Sequence, residues 1–188
     1  MLVPRHGRVL LIRDPNGDQV FAAVSPGEVY SFPASPASFR DSGEWFGQAA
    51  EPVYVFDAKP FLALGVPADS KRVRDLLLFW WLLEPGRAHY PPAGLIRREL
   101  GHDVPAALPD IASALWQLAP LLEERLEKEE LMSVYEEVEA PLTPILAAME
   151  ASGIGFDASP LRVLSKKMAH EISVLEKQIF QVVLLKVL

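Results

Sequence analysis

Four histidines, His6, His89, His102 and His170, are the obvious first candidates for metal ligands or general bases, and none stands at metal-ligand spacing. His102-Asp103 follows Gly101 and reads as a loop pair rather than a catalytic dyad. With no cysteine in the chain, disulfides, thiolate metal sites and cysteine nucleophiles are excluded. Gly153 and Gly155 have neither the strand nor the Lys-Ser/Thr of a phosphate loop, so they read as helix termination. Lys71-Arg72-Val73-Arg74 reads as surface charge at a helix start, with a phosphate contact as the alternative. Phe79-Trp80-Trp81 could stack on bases; inside an apolar helix it reads as core. Glu123, Glu124, Glu127, Glu129 and Glu130 form an acidic run, read as solvated. What remains is basic. Between positions 158 and 188, Arg162, Lys166, Lys167, Lys177 and Lys186 face only Glu171 and Glu176, on a chain whose net charge is −7. Such a tail suits a polyanion, and a lysine-rich solvated helix face fits the same residues.

Secondary structure must position these groups. Val9–Ile12, Val20–Val24 and Val29–Phe32 are short apolar runs separated by Asp14-Pro15-Asn16-Gly17 and Ser25-Pro26-Gly27-Glu28, which predicts an antiparallel meander. Residues 33–52 read as a loop with a helical turn near Trp45. Val53–Phe56 is a fourth strand, and Asp57 is placed to cap a helix from Ala58. Asp75 precedes the helix Leu76–Leu83, apolar all round and so read as buried, which Glu84-Pro85-Gly86 stops. Pro91-Pro92 opens a helix to Leu100, closed by Gly101. Leu108-Pro109-Asp110 starts another that runs through Leu126. A further helix spans Leu131 to Met149, bent by Pro141 and Pro144. After Ala158-Ser159-Pro160, Leu161, Leu164, Met168, Ile172, Leu175, Ile179 and Val182 form a near-coiled-coil stripe with the basic residues mostly off it. The apolar end 182–188 reads as a cut or altered boundary.

The chain's 188 residues, half of them apolar, suffice for one domain or one and part of another. No apolar run approaches the ~20 residues of a membrane span, and the N-terminus lacks a signal peptide's apolar stretch. A cytoplasmic location without a membrane partner is the expectation.

Glu139-Ala140-Pro141-Leu142, then Ile145-Leu146, Met149-Glu150, Gly153-Ile154 and Phe156-Asp157 resemble the E-x-P-L-x-x-V-L-x-x-M-E-x-x-G-(I/V)-x-(I/L/F)-D segment of family A DNA polymerases, the bacterial DNA polymerase I type. Asp75 through Pro85 is similar to that family's D-x-x-L-x-x-Y-L-L-x-P helix, with Trp80 or Trp81 near the usual tyrosine. The resemblance implies an α+β fold: a ribonuclease-H-like, 3′–5′ exonuclease-like sheet of four or five strands with covering helices over residues 1–127. A connecting helix and hinge over 128–157 and the start of the thumb over 158–188, a long protruding helix, would follow. It implies that palm and fingers lie outside the chain, which by itself would not extend DNA.

Proofreading in this family uses carboxylates that hold two divalent metals. The strand that should carry D-x-E reads Val9-Leu10-Leu11-Ile12-Arg13-Asp14-Pro15. The N-x-x-x-D position reads Asp57-Ala58-Lys59-Pro60-Phe61, with phenylalanine for the aspartate. In Y-x-x-x-D, Asp110 matches the aspartate and Ala106 replaces the tyrosine. Asp57 and Asp110 are thus vestigial candidates only. Mg²⁺ serves the intact family, and this chain is expected to hold no metal or cofactor. The resemblance implies a proofreading-inactive, structural domain of a DNA replication and repair polymerase. Its partners would be the rest of the polymerase and duplex primer–template DNA, the latter met by Arg162, Lys166, Lys167 and Lys177. Two other readings are an active 3′–5′ exonuclease and a non-enzymatic module that self-associates through the exposed leucine stripe.

Overall fold

The computed structural model describes residues 7–39, 51–67 and 72–187, with side chains to 181. The chain divides into two units, Met1–Ala151 and Ser152–Leu188.

In the first unit, β1 (Val9–Arg13), β2 (Gln19–Ser25), β3 (Glu28–Pro33), β4 (Val53–Phe56) and β5 (Val73–Asp75) form one mixed sheet in the order β3-β2-β1-β4-β5. The meander β1-β2-β3 is antiparallel, while β4 runs parallel to β1 and β5 parallel to β4. The two tight turns explain the meander. Asp14 Oδ1 accepts from the Asn16 N–H, and Gly27, at φ +81°, takes the left-handed position after Pro26. The parallel strands are reached by the long connections that parallel pairing needs.

Both faces of the sheet are covered, so its central strands are apolar throughout rather than alternating. Leu10, Ile12, Tyr54 and Phe56 point to one core, with α2 (Leu76–Leu83), α3 (Pro92–Leu100) and α4 (Leu108–Lys128) over them. Val9, Leu11, Val53 and Val55 point to a second core around Phe39 and Phe61, the latter from the short α1 (Lys59–Leu62). The α2 helix starts where its cap signal places it, with Asp75 accepting from the Leu77 N–H. Gly101, at φ +73°, ends α3.

Several expectations change. The N-cap of α1 is Ala58, without a side-chain cap, and the helix starts at Lys59. Val73 and Arg74, read as part of a charged helix start, instead belong with Asp75 to a fifth strand. Arg74 is not solvated: its guanidinium lies 3.2 Å from Glu123 and 3.3 Å from Glu136. Glu123, half-buried, also accepts from the Tyr54 hydroxyl, so the acidic run is not uniformly solvated. Trp80 is core but Trp81 is 39% exposed, because a single-layer helix cannot bury its whole circumference. The turn expected near Trp45 lies outside the described residues, and a 3-10 turn occupies Pro36–Phe39.

The helix expected over Leu131–Met149 is not one bent α-helix. It comprises α5 (Met132–Val134), a π turn (Tyr135–Glu139) and α6 (Ala140–Ser152). In α register Pro141 would have to donate to Glu137 and Pro144 to Ala140. Neither has an N–H; the π turn ends just before Pro141, while Pro144 lies inside α6.

The β5 edge is closed by a side chain. The Tyr135 hydroxyl accepts from the Asp75 N–H at 3.0 Å and faces the Val73 carbonyl at 3.4 Å, so one phenol fills the place of a sixth strand. Its ring meets Phe79 edge-on at 4.7 Å, and burial holds its hydroxyl well above the usual tyrosine range.

In the second unit, α7 (Ser159–Val187) begins at a cap in which Asp157 Oδ1 accepts from the Ser159 N–H and hydroxyl. Those two bonds hold the Asp157 carboxyl below its ordinary range. Among the described residues no helix is long and apolar enough to cross a membrane.

Candidate functional site

The parallel neighbours β1 and β4 end at the same rim of the sheet, the place where open sheets of this kind present ligand-binding groups. There Arg13 and Asp14 leave β1, Asp57 leaves β4, and the first turn of α4 approaches. Together with Tyr90, Leu108 and Ile111 they line a cavity of about 650 Å³. A neighbouring cavity of about 630 Å³ shares Asp57, Pro60 and Leu77 and extends to Glu150 of α6.

Asp57 sits at φ +65°, a conformation that costs a non-glycine residue free energy unless its surroundings hold it. Asp75 does so. It is 3% exposed, and its carboxylate takes three backbone N–H groups: Asp57 at 3.1 Å, Leu77 at 2.9 Å and Ala58 at 2.8 Å. Burial nevertheless outweighs these bonds and pushes the Asp75 carboxyl up to about 6. Desolvation also raises Asp57, opposed by the Lys59 backbone and ammonium. Lys59 in turn pairs with Glu150 at 2.6 Å.

The two aspartates singled out from the sequence are not gathered with a third. Asp110 is exposed in the first turn of α4, where its neighbours Leu108 and Ile111, not Asp110, line the cavity that Asp57 lines. Phe61, which the resemblance sets where the family has an aspartate, is wholly buried against Phe39 with ring centroids 6.3 Å apart. Arg13 brings a cation to the rim. Among the described residues no three His, Cys, Asp or Glu side chains could hold a metal ion. This donor set does not fit the pair of divalent ions that the resemblance implies for the intact family.

His102 Nδ1 lies 3.2 Å from the Asp103 carbonyl, and the Asp103 carboxylate is held by Arg97 at 2.6 Å. This is a loop arrangement. Arg162, Lys166, Lys167 and Lys177 are exposed along α7. At 3.6 residues per turn, Arg162, Lys166 and Lys177 lie within about 60° of arc, opposite the Leu164-Met168-Leu175 stripe. Lys167 lies off to one side, 3.9 Å from Glu171.

Sequence reasoning missed Asp75, Arg74, Glu123 and Tyr135 as organisers of the rim and edge. Asp75 carried one signal, its place before an apolar helix; its wider role depends on β4 and β5 being neighbours.

No protein-family model matches the chain. It is 35% identical over 161 residues to the thermostable DNA polymerase I of Thermus aquaticus, a match covering 85% of this chain and 18% of that protein. The corresponding Thermus thermophilus enzyme is 35% identical over 164 residues, covering 87% and 19%. DNA polymerase I of Deinococcus radiodurans is 32% identical over 111 residues, covering 57% and 11%. Among solved structures, the POL domain of Pol1 from M. smegmatis, in complex with DNA primer-template and dNTP, aligns with 83% of this chain and 29% of that one, at TM-score 0.58 and 22% identity. This likeness speaks to fold. The chain is thus homologous to a segment of bacterial DNA polymerase I and spans under a fifth of the length of these relatives.

Proposed function

We propose that this chain is a non-hydrolytic, ribonuclease-H-like exonuclease-like domain of a DNA polymerase I-like protein of DNA replication and repair. On this reading the α7 helix begins the thumb and meets the backbone of duplex primer–template DNA. Strand order β3-β2-β1-β4-β5, with an antiparallel meander beside two parallel strands, supports the fold assignment. The observation that carries the loss of nuclease chemistry is Phe61. A buried aromatic ring anchors the second core at the position where, by the resemblance, the two-metal reaction requires a carboxylate, and Arg13 places positive charge at the rim where β1 and β4 end. The domain then contributes its shape and the anchoring of its helices.

Basic groups on the side of α7 opposite its apolar stripe support the DNA contact. Arg162, Lys166, Lys167 and Lys177 would neutralise phosphates without reading bases, so binding should be insensitive to sequence and fall steeply with salt.

Two assays on the full chain test the proposal. With a 3′-labelled single strand and Mg²⁺ or Mn²⁺, nucleotide release should stay at the level of buffer; release abolished by Asp110→Ala or Asp57→Ala would overturn the non-hydrolytic reading. In fluorescence anisotropy with a primer–template duplex, affinity should fall with salt, and Lys166→Glu with Lys177→Glu should weaken it at least tenfold. Binding that is indifferent to salt and to both substitutions would overturn the assigned contact.

A further inference from the structure

The two edges of the sheet differ. Tyr135 closes β5; among the described residues β3 pairs with β2 alone, and its register shows which groups its other side offers. The turn-closing pair Ser25–Glu28 and the bond from the Ala34 N–H to the Asp18 carbonyl show that even-numbered residues of β3 direct their backbone groups to β2. Strand alternation then sends Val29, Ser31 and Pro33 outward. Pro33 has no N–H, and its carbonyl already accepts from the Ser35 N–H at 3.0 Å. The open edge is therefore the N–H and C=O of Val29 and of Ser31.

We propose that β3 pairs antiparallel with β3 of a second copy of this chain, about a two-fold axis through Tyr30. In that register Val29 of each copy faces Ser31 of the other. Both N–H groups donate and both carbonyls accept, so every outward group described above is satisfied. A two-fold contact must be self-complementary, and this four-group edge is. Moving the axis to Ser31 would place Val29 opposite Pro33, which cannot donate. The charges allow it as well: Glu28, the acidic residue of the strand, would face Phe32 across the pair, and its carboxylate is already held by Ser25 and Tyr30 at 3.0 and 2.7 Å. Tyr30, 38% exposed, would meet its symmetry mate in a non-hydrogen-bonded pair, where side chains approach most closely.

The exposed stripe of α7 is a less suitable surface for a second copy. Pairing it in parallel sets Glu171 against Glu176 of the other helix, and pairing it antiparallel about Ile172 sets Glu171 against Glu171.

The test uses the full chain. Sedimentation across a hundredfold range of concentration should show a monomer–dimer equilibrium. Amide exchange at Val29 and Ser31 should slow at least tenfold as the dimer forms, while Tyr30 and Phe32 stay protected throughout. Ser31→Pro removes one outward N–H at a position where an edge strand accepts proline and should return the chain to monomer with unchanged circular dichroism. A chain monomeric at every concentration overturns the proposal. So does a dimer whose Val29 and Ser31 amides exchange as freely as in the monomer, or one that Leu164→Lys dissolves and Ser31→Pro does not.

Discussion

Replacing Tyr135 with Phe removes one oxygen atom and leaves the ring packed on Phe79. The Asp75 N–H, now bonded at 3.0 Å, loses its acceptor at a residue only 3% exposed. The Val73 carbonyl loses a weaker contact at 3.4 Å. An unsatisfied buried donor costs about 1–3 kcal/mol, and the longer contact adds little, so about 2 kcal/mol should be lost. A cavity of about 20 Å³ adjoins Asp75, Tyr135 and Thr143, enough for one water. A water entering from there to replace the hydroxyl would bring the loss down to about 1 kcal/mol. Urea melts of the two proteins should share a slope and differ by that amount. At about 2–4 °C per kcal/mol for a chain of this length, the melting midpoint should fall by roughly 4–8 °C without the water. Native-state amide exchange gives the local readout: Asp75 should exchange far faster in the variant, and the amides of β1 should slow or quicken only with global stability. A variant within about 0.5 kcal/mol of wild type, with its Asp75 amide still slow, would refute the idea that this hydroxyl closes the sheet.

Other perturbations reach different parts of the fold. Because the folded Asp75 carboxyl lies near 6, above its unfolded value, the native state holds the extra proton between about pH 4 and 6. Stability from this group is therefore present below that window and lost as pH rises through it; Asp75→Asn should flatten that slope in pH-dependent melts. Phe61→Asp, which restores the family's carboxylate type, should unfold the domain instead of creating a metal site, at a cost of about 4 kcal/mol or more. Circular dichroism and Mn²⁺ titration would show this, and a folded, Mn²⁺-binding variant would contradict it. Limited chymotrypsin digestion should cut after Phe156, 71% exposed in the extended run between α6 and α7, giving products that mass spectrometry can assign.

Much of the fold is legible in local signals. The apolar runs and the turn chemistry at Asp14–Gly17 and Ser25–Glu28 locate the meander, and capping residues locate the ends of α2, α3 and α7. The three residues of β5 are too few to show alternation, and two of its neighbours in sequence are charged. Arg74 therefore reads as surface until Glu123, 49 positions later, is known to lie against it. The rim was half legible. Arg13 at the rim, like Phe61 in the core beneath the sheet's other face, stands out because the resemblance says what belongs at its position, whereas the clamp from Asp75 onto the left-handed Asp57 depends on two parallel strands being neighbours.

The π turn has a consequence for which side of the next helix meets the body of the unit. An uninterrupted α-helix through Tyr135 would bring Leu142, Leu146 and Met149 round to the inward side, seven, eleven and fourteen residues on. The extra residue per turn rotates everything after it by about 100°. Ala140 and Thr143 go inside instead, and the three bulky side chains emerge 40%, 42% and 64% exposed. Five residues thus act as a phase shifter: they spend the small side chains on the interior and hold the large ones in reserve on the surface. A one-residue deletion there would reverse the assignment without altering a single side chain of the helix itself.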